Sequence, residues 1–170
     1  SLDAGTITVN GGDSTTEVTV VQNLDDVDFK EVATAATKET AVITFGALSA
    51  GEKVAVSEGA LTAFGTDLTF TASKNLTAAE VAAAFAELTA ADKQSTGGVV
   101  TNGIFTGSLD AGWISGAADG NKVTFTATAT GDDTDLVVTT RNAADSGVAT
   151  KNADFDVDVT DGAAKSVTKV

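Results

Sequence analysis

Residues 121–130 read Asn-Lys-Val-Thr-Phe-Thr-Ala-Thr-Ala-Thr, and from Val123 onward apolar and hydroxyl side chains alternate strictly. In extended backbone successive side chains point to opposite faces, so Val123 and Phe125 share one face and Thr124 and Thr126 the other. A segment of this kind folds as a strand with one wet and one buried side, and the buried side needs a second layer over it. The pattern recurs. Ala41-Val42-Ile43-Thr44-Phe45 and Lys53-Val54-Ala55-Val56 flank the turn-like Ser49-Ala50-Gly51-Glu52. Leu61–Phe64 and Leu68–Thr71 flank a Gly65-Thr66-Asp67 turn, with Leu68 and Phe70 on one face.

Further strands are predicted at Val99-Val100, following a Gly97-Gly98 break, and at Gly103–Thr106, Trp113-Ile114, Leu136–Thr139 and Phe155–Val159. At the amino end, Thr6–Val9 and Thr16–Val21 around Asn10-Gly11-Gly12-Asp13 read as a hairpin. Residues 23–40 have mixed periodicity and fit either a short helix or an irregular acidic connection. One helix stands out. Thr77 and Glu80 form a capping box ahead of the Ala-rich run Ala78–Ala90, and Val81, Ala84, Phe85 and Leu88 make a single apolar stripe suited to docking on a sheet. The expected fold is therefore mainly β, an antiparallel β-sandwich of packed sheets with one amphipathic helix around 78–90. Ser1-Leu2-Asp3-Ala4-Gly5-Thr6-Ile7 returns almost unchanged as Ser108-Leu109-Asp110-Ala111-Gly112-Trp113-Ile114, but the echo is too short to set a repeat period.

Composition agrees and narrows the function classes. Among 170 residues are 28 Thr and 17 Gly, and the 24 acids include 17 Asp, a residue suited to turns between strands. Positive mean hydropathy separates the chain from a disordered acidic tail. A net charge of −14 argues against nucleic acid and anionic membrane surfaces as partners. Cys, His, Met, Tyr and Pro are absent, which removes thiol and imidazole chemistry, His or Cys zinc sites and disulfides. No carboxylate pair stands beside an aromatic platform, and Trp113 reads as core. The chain is expected not to be an enzyme. It begins at Ser1 without Met and carries no basic-plus-apolar leader or spanning run, so it reads as a processed or excised piece with no membrane insertion. Asn75-Leu76-Thr77 matches a glycosylation acceptor, although Thr77 is already accounted for as a helix cap.

From Ala41 to about Thr140 the chain resembles a module repeated in very large bacterial surface and type I-secreted proteins, among them surface-layer proteins and adhesins. The resemblance rests on the order of Val42–Leu48, Gly51 with Val54-Ala55-Val56, Leu68–Ala72, Leu76–Ala86, Trp113–Gly116 and Gly120–Ala127. It implies a structural or adhesive role, an extracellular or cell-surface location, and a family in which many members bind calcium. The GGxGxD nonapeptide array of that secretion class is missing here. The implied organisation is an amino-terminal hairpin and acidic connection over 1–40, which would serve as an assembly arm, a β-rich module over 41–162 with the helix, and a tail over 163–170. On this reading the chain is a non-catalytic subunit of a surface-layer lattice or filament that associates with copies of itself through strand edges. Either Gly5–Val21 or Lys165–Val170 would add to a neighbour's sheet. The alternative is an adhesin module binding a sugar or host protein through its loops.

Calcium needs six to eight hard oxygen ligands, and three Asp groups offer them. Asp132, Asp133 and Asp135 sit in a strand-to-strand loop. Asp154, Asp156 and Asp158 would share one strand face, about 6–7 Å between alternate residues, with Asp161-Gly162 just beyond. Asp25, Asp26 and Asp28 form a third group. The first two groups are the expected metal ligands and the first is favoured. Calcium is the expected cofactor, neutralising charge as copies come together.

Overall fold

A computed structural model describes residues 31–89, 96–100, 102–109, 112–141 and 153–169. Eleven strands and one helix lie within them. The strands are β1 (Glu31–Thr34), β2 (Thr40–Thr44), β3 (Lys53–Glu58), β4 (Leu68–Ala72), β5 (Thr96–Val100), β6 (Gly103–Thr106), β7 (Trp113–Asp119), β8 (Lys122–Ala127), β9 (Leu136–Arg141), β10 (Asp156–Thr160) and β11 (Ser166–Lys169). The helix α1 (Ala78–Phe85) falls between β4 and β5. Two antiparallel sheets, ordered β10-β2-β8-β7 and β5-β6-β4-β3-β9, pack as a sandwich, with β1 and β11 forming a separate pair. The amino-terminal hairpin expected over 6–21 and the Asp25, Asp26 and Asp28 group lie outside the described residues.

Alternation decides which faces meet. Val123, Phe125 and Ala127 of β8 are buried while Lys122 and Thr124 are exposed, and Ala41 and Ile43 of β2 bury the same way. Successive strands nevertheless change sheet, so β2 pairs with β8 and β10 rather than with β3, which pairs with β4 and β9. A ring cluster fills one end of the core. Phe85 stacks on Phe45 at 4.8 Å and meets Phe105 and Phe70 edge-on at 5.0 and 6.0 Å, so the helix closes the gap between the sheets.

Three local expectations are corrected. The helix ends at Phe85, not Ala90: Ala86 is extended, Glu87 has φ of 57°, and the backbone turns to pair with β7 through Glu87 N–H to Gly116 O and Ser115 N–H to Leu88 O. Leu88, still packed on the core, is thus beyond the helix. Leu61–Phe64 is no strand, because Asp67 Oδ2 gathers the amides of Thr62 and Ala63 into a compact loop. Gly97-Gly98 does not precede β5 but lies within it, where the register against β6 shifts.

Both ends of the described chain leave the sandwich together. Glu31 lies opposite Lys169, Thr34 opposite Ser166, Thr37 opposite Ala163, Thr40 opposite Thr160 and Thr44 opposite Asp156. One register therefore runs from the inner pair β2–β10 to the outer pair β1–β11, as a two-stranded ribbon whose inner end belongs to a sheet. Between the two, Gly131 reaches the ribbon, its N–H donating to Thr37 O at 2.9 Å. A side chain at Gly162 would collide with the carbonyl of Gly131, so only glycine lets the loop approach there.

Candidate functional site

The loop joining β8 to β9 carries Asp132, Asp133 and Asp135, all exposed. Its backbone is tied down at three points: Gly131 at the ribbon, Asp135 O accepting from Gly59 N–H, and Thr128 N–H donating to Gly112 O. The sequence expectation is thus met in one respect, since these three carboxylates do occupy one loop between sheets. A fourth acid, absent from that expectation, lies beneath it. Glu39 is 0% exposed, its Oε2 accepts from Asp133 N–H at 2.5 Å, and its Oε1 is buried with no hydrogen-bond partner.

Burial pushes the Glu39 carboxyl above its ordinary range, and the charges of Asp135, Asp132 and Asp133 push the same way, while the Asp133 amide pulls it back. Gly112 packs closely against the β8–β9 loop: a Cβ there would stand 3.3 Å from Asp133 Oδ2 and 3.4 Å from Glu58 Oε1. Glu58 ends β3, and its Oε1 is also withdrawn from solvent. Acids from β3, the β8–β9 loop and the residue before β2 thus collect in one region. Among the described residues, however, no three acidic side chains already stand in metal-ligand geometry.

The second acidic group is arranged differently. Asp156 and Asp158 point outward from β10 while Val157 and Val159 turn toward the core, and Asp154 precedes the strand on an exposed turn. They form part of an outward row at the sheet's outer strand. The crevice between β9 and β10 is lined by Leu136, Val137, Val138, Val157 and Val159 together with Asp135.

A cavity of about 350 Å³ adjoins the Glu58 end of the sandwich, lined by Ser57, Glu58, Thr62, Thr66, Asp67, Ser108 and Leu109. Hydroxyls dominate its wall, and Asp67 is already committed to the loop amides. Trp113 takes no part, being fully buried in the core as its sequence position suggested.

Glu39 and Glu58 were missed because residues 23–40 show no clear periodicity and Glu58 ends its strand. A signal for Glu39 was present. Stepping back by twos from the inward-facing Phe45, Ile43 and Ala41 lands on Glu39, which puts a carboxylate on the buried face. No family model, curated protein or solved structure matches the chain.

Proposed function

We propose that this chain is a non-catalytic structural subunit of a bacterial extracellular assembly, a surface-layer lattice or a filament, joined copy to copy through strand edges. The observation that carries the reading is the β1–β11 ribbon. It extends beyond the sandwich in the register of β2 and β10, and its described side chains Ala33, Thr34 and Ser166 are exposed. A two-stranded sheet is marginal alone, and an uncovered edge is a template for another strand. Pro, a common edge breaker, does not occur in the chain. Among the described residues no third strand pairs with the ribbon, and adding a neighbour's strand would satisfy its outer amides and carbonyls without disturbing the core.

Sedimentation velocity of the full chain and of a chain ending at Lys165, which lacks β11, tests this reading. The full chain should grow in mass with concentration. The shortened one should stay monomeric while keeping a cooperative melting transition. Equal assembly by both chains would remove the ribbon from the account.

The hydroxyl-lined cavity favours a second reading, an adhesin module that takes a sugar through its loops. Ser57, Thr62, Thr66 and Ser108 offer donors and acceptors suited to saccharide hydroxyls. Calorimetric titration with mono- and disaccharides decides it: binding that Ser108→Ala weakens supports the adhesin, and an absence of heat with every sugar rejects it.

A further inference from the structure

Two sheet edges stand open on the same side of the sandwich. β9 ends the five-stranded sheet and β10 ends the four-stranded one, and among the described residues no further strand pairs with the outer edge of either. Between them lies a crevice of about 240 Å³, and Val137 beside it is 37% exposed. An open edge next to partly uncovered valines is a place for one more strand.

The chain's own amino end supplies a strand of the right kind. The echo of Ser108–Ile114 in Ser1–Ile7 continues further along: a turn follows each, Asp119-Gly120-Asn121 in one and Asn10-Gly11-Gly12-Asp13 in the other, and then Glu17-Val18-Thr19-Val20 answers Lys122-Val123-Thr124-Phe125. The later copy of this pattern buries Leu109, Val123 and Phe125 and forms the β7–β8 hairpin at the far edge of the four-stranded sheet. We propose that residues 1–21 make a second such hairpin, whose strand Thr16–Val21 pairs antiparallel with the outer edge of β9 in the same chain.

Three constraints converge on that placement. Charge selects β9 over β10, because the outward face of β10 carries Asp156 and Asp158, which would repel Glu17, whereas β3 and β9 set Lys53 directly opposite Arg141. Side-chain alternation selects the register. With Glu17 opposite Arg141, Val21 stands opposite the exposed Val137 and Val20 opposite the buried Val138, so Val18 and Val20 turn toward the crevice. Chain length fits the direction. Antiparallel pairing brings Val21 to the Leu136 end of β9, next to the loop that touches the ribbon's root through Gly131 and Glu39. Residues 22–30 are as many as residues 31–39, so the stretch after Val21 can run out along the ribbon from that root to Glu31 at its tip. This pairing goes beyond the assembly reading, since it is made within one chain and leaves the ribbon as the edge open to a neighbour.

The chain has no Cys, so a pair of introduced thiols reports a single contact. Val21→Cys with Val137→Cys, in the full 170-residue chain oxidised at high dilution, should close a disulfide within one chain, read as loss of both free thiols and faster migration of a monomer on a non-reducing gel. Val137 is exposed, so its replacement leaves the core intact. Val21→Cys with Ile104→Cys should keep both thiols under the same conditions, because Ile104 is exposed on β6, three strands from β9 in the same sheet. As a second readout, Val18→Asp with Val20→Asp should cost β9 its amide protection at every protein concentration and leave β8 unchanged. No link between residues 21 and 137, a disulfide-linked dimer in its place, equal oxidation of the two pairs, or unaltered exchange in β9 would each overturn the proposal.

Discussion

Two glutamates with opposite environments give the chain opposing responses to pH. Glu80 accepts the Thr77 amide and hydroxyl at 2.9 and 3.0 Å, which holds its carboxyl below the ordinary range. Its contribution is present above the unfolded carboxylate pKa and is lost as pH falls through the folded value. Glu39 is raised, so the folded state holds its proton longer than the unfolded one. Stability then declines as pH climbs from the ordinary carboxylate pKa through the folded value. The charges acting on Glu39 among the described residues are those of Asp135, Asp132 and Asp133 in the β8–β9 loop. Glu39→Gln is expected to raise the melting temperature at pH 7 by about 2–4 °C, the shift that roughly 1 kcal/mol produces in a chain of this size. The gain should vanish near pH 4, and melts across that range check it. Ser115 gives a contrasting case. Its hydroxyl donates to Phe85 O at 2.6 Å and accepts from Leu88 N–H at 2.8 Å, so Ser115→Ala leaves two buried backbone groups short and should cost about 1–3 kcal/mol in urea unfolding.

At the level of elements, legibility followed periodicity. The capping box of Thr77 and Glu80 and the alternation of β8 could be read directly, because each depends on contacts within a few residues. What could not be read was mostly non-local, the Asp67 side chain that shapes the Leu61–Phe64 loop being the local exception. The early end of α1 is set by Gly116 and Ser115 of β7, nearly thirty residues away, and the Leu61–Phe64 loop is set by one Asp side chain rather than by its apolar content. The acidic site was half legible for the same reason: Asp132, Asp133 and Asp135 are neighbours in sequence, whereas Glu39 and Glu58 reach them only through the fold. Two substitutions separate local from packing contributions to the helix. Thr77→Ala removes the cap and should cost about 1 kcal/mol. Phe85→Ala empties the ring cluster between the sheets and should cost about 3–5 kcal/mol, measured by the same unfolding curves.

Across the whole molecule, a sandwich closed at one end by aromatic rings carries an acidic loop region at its margin and a ribbon that leaves it in register. The ribbon, the Gly131 contact and Glu39 are adjacent along the chain, so whatever fixes the β8–β9 loop also fixes the base of the ribbon. The −14 charge opposes close approach of copies, and screening acts only beyond about 8–10 Å at ordinary salt. The central claim, that copies join through the ribbon, is tested most directly by amide hydrogen exchange at low and high protein concentration. Protection should rise with concentration at residues 31–37 and 163–169 and stay constant in β2 and β8. Unchanged exchange in the ribbon at every concentration, or new protection confined to other strands, would contradict it.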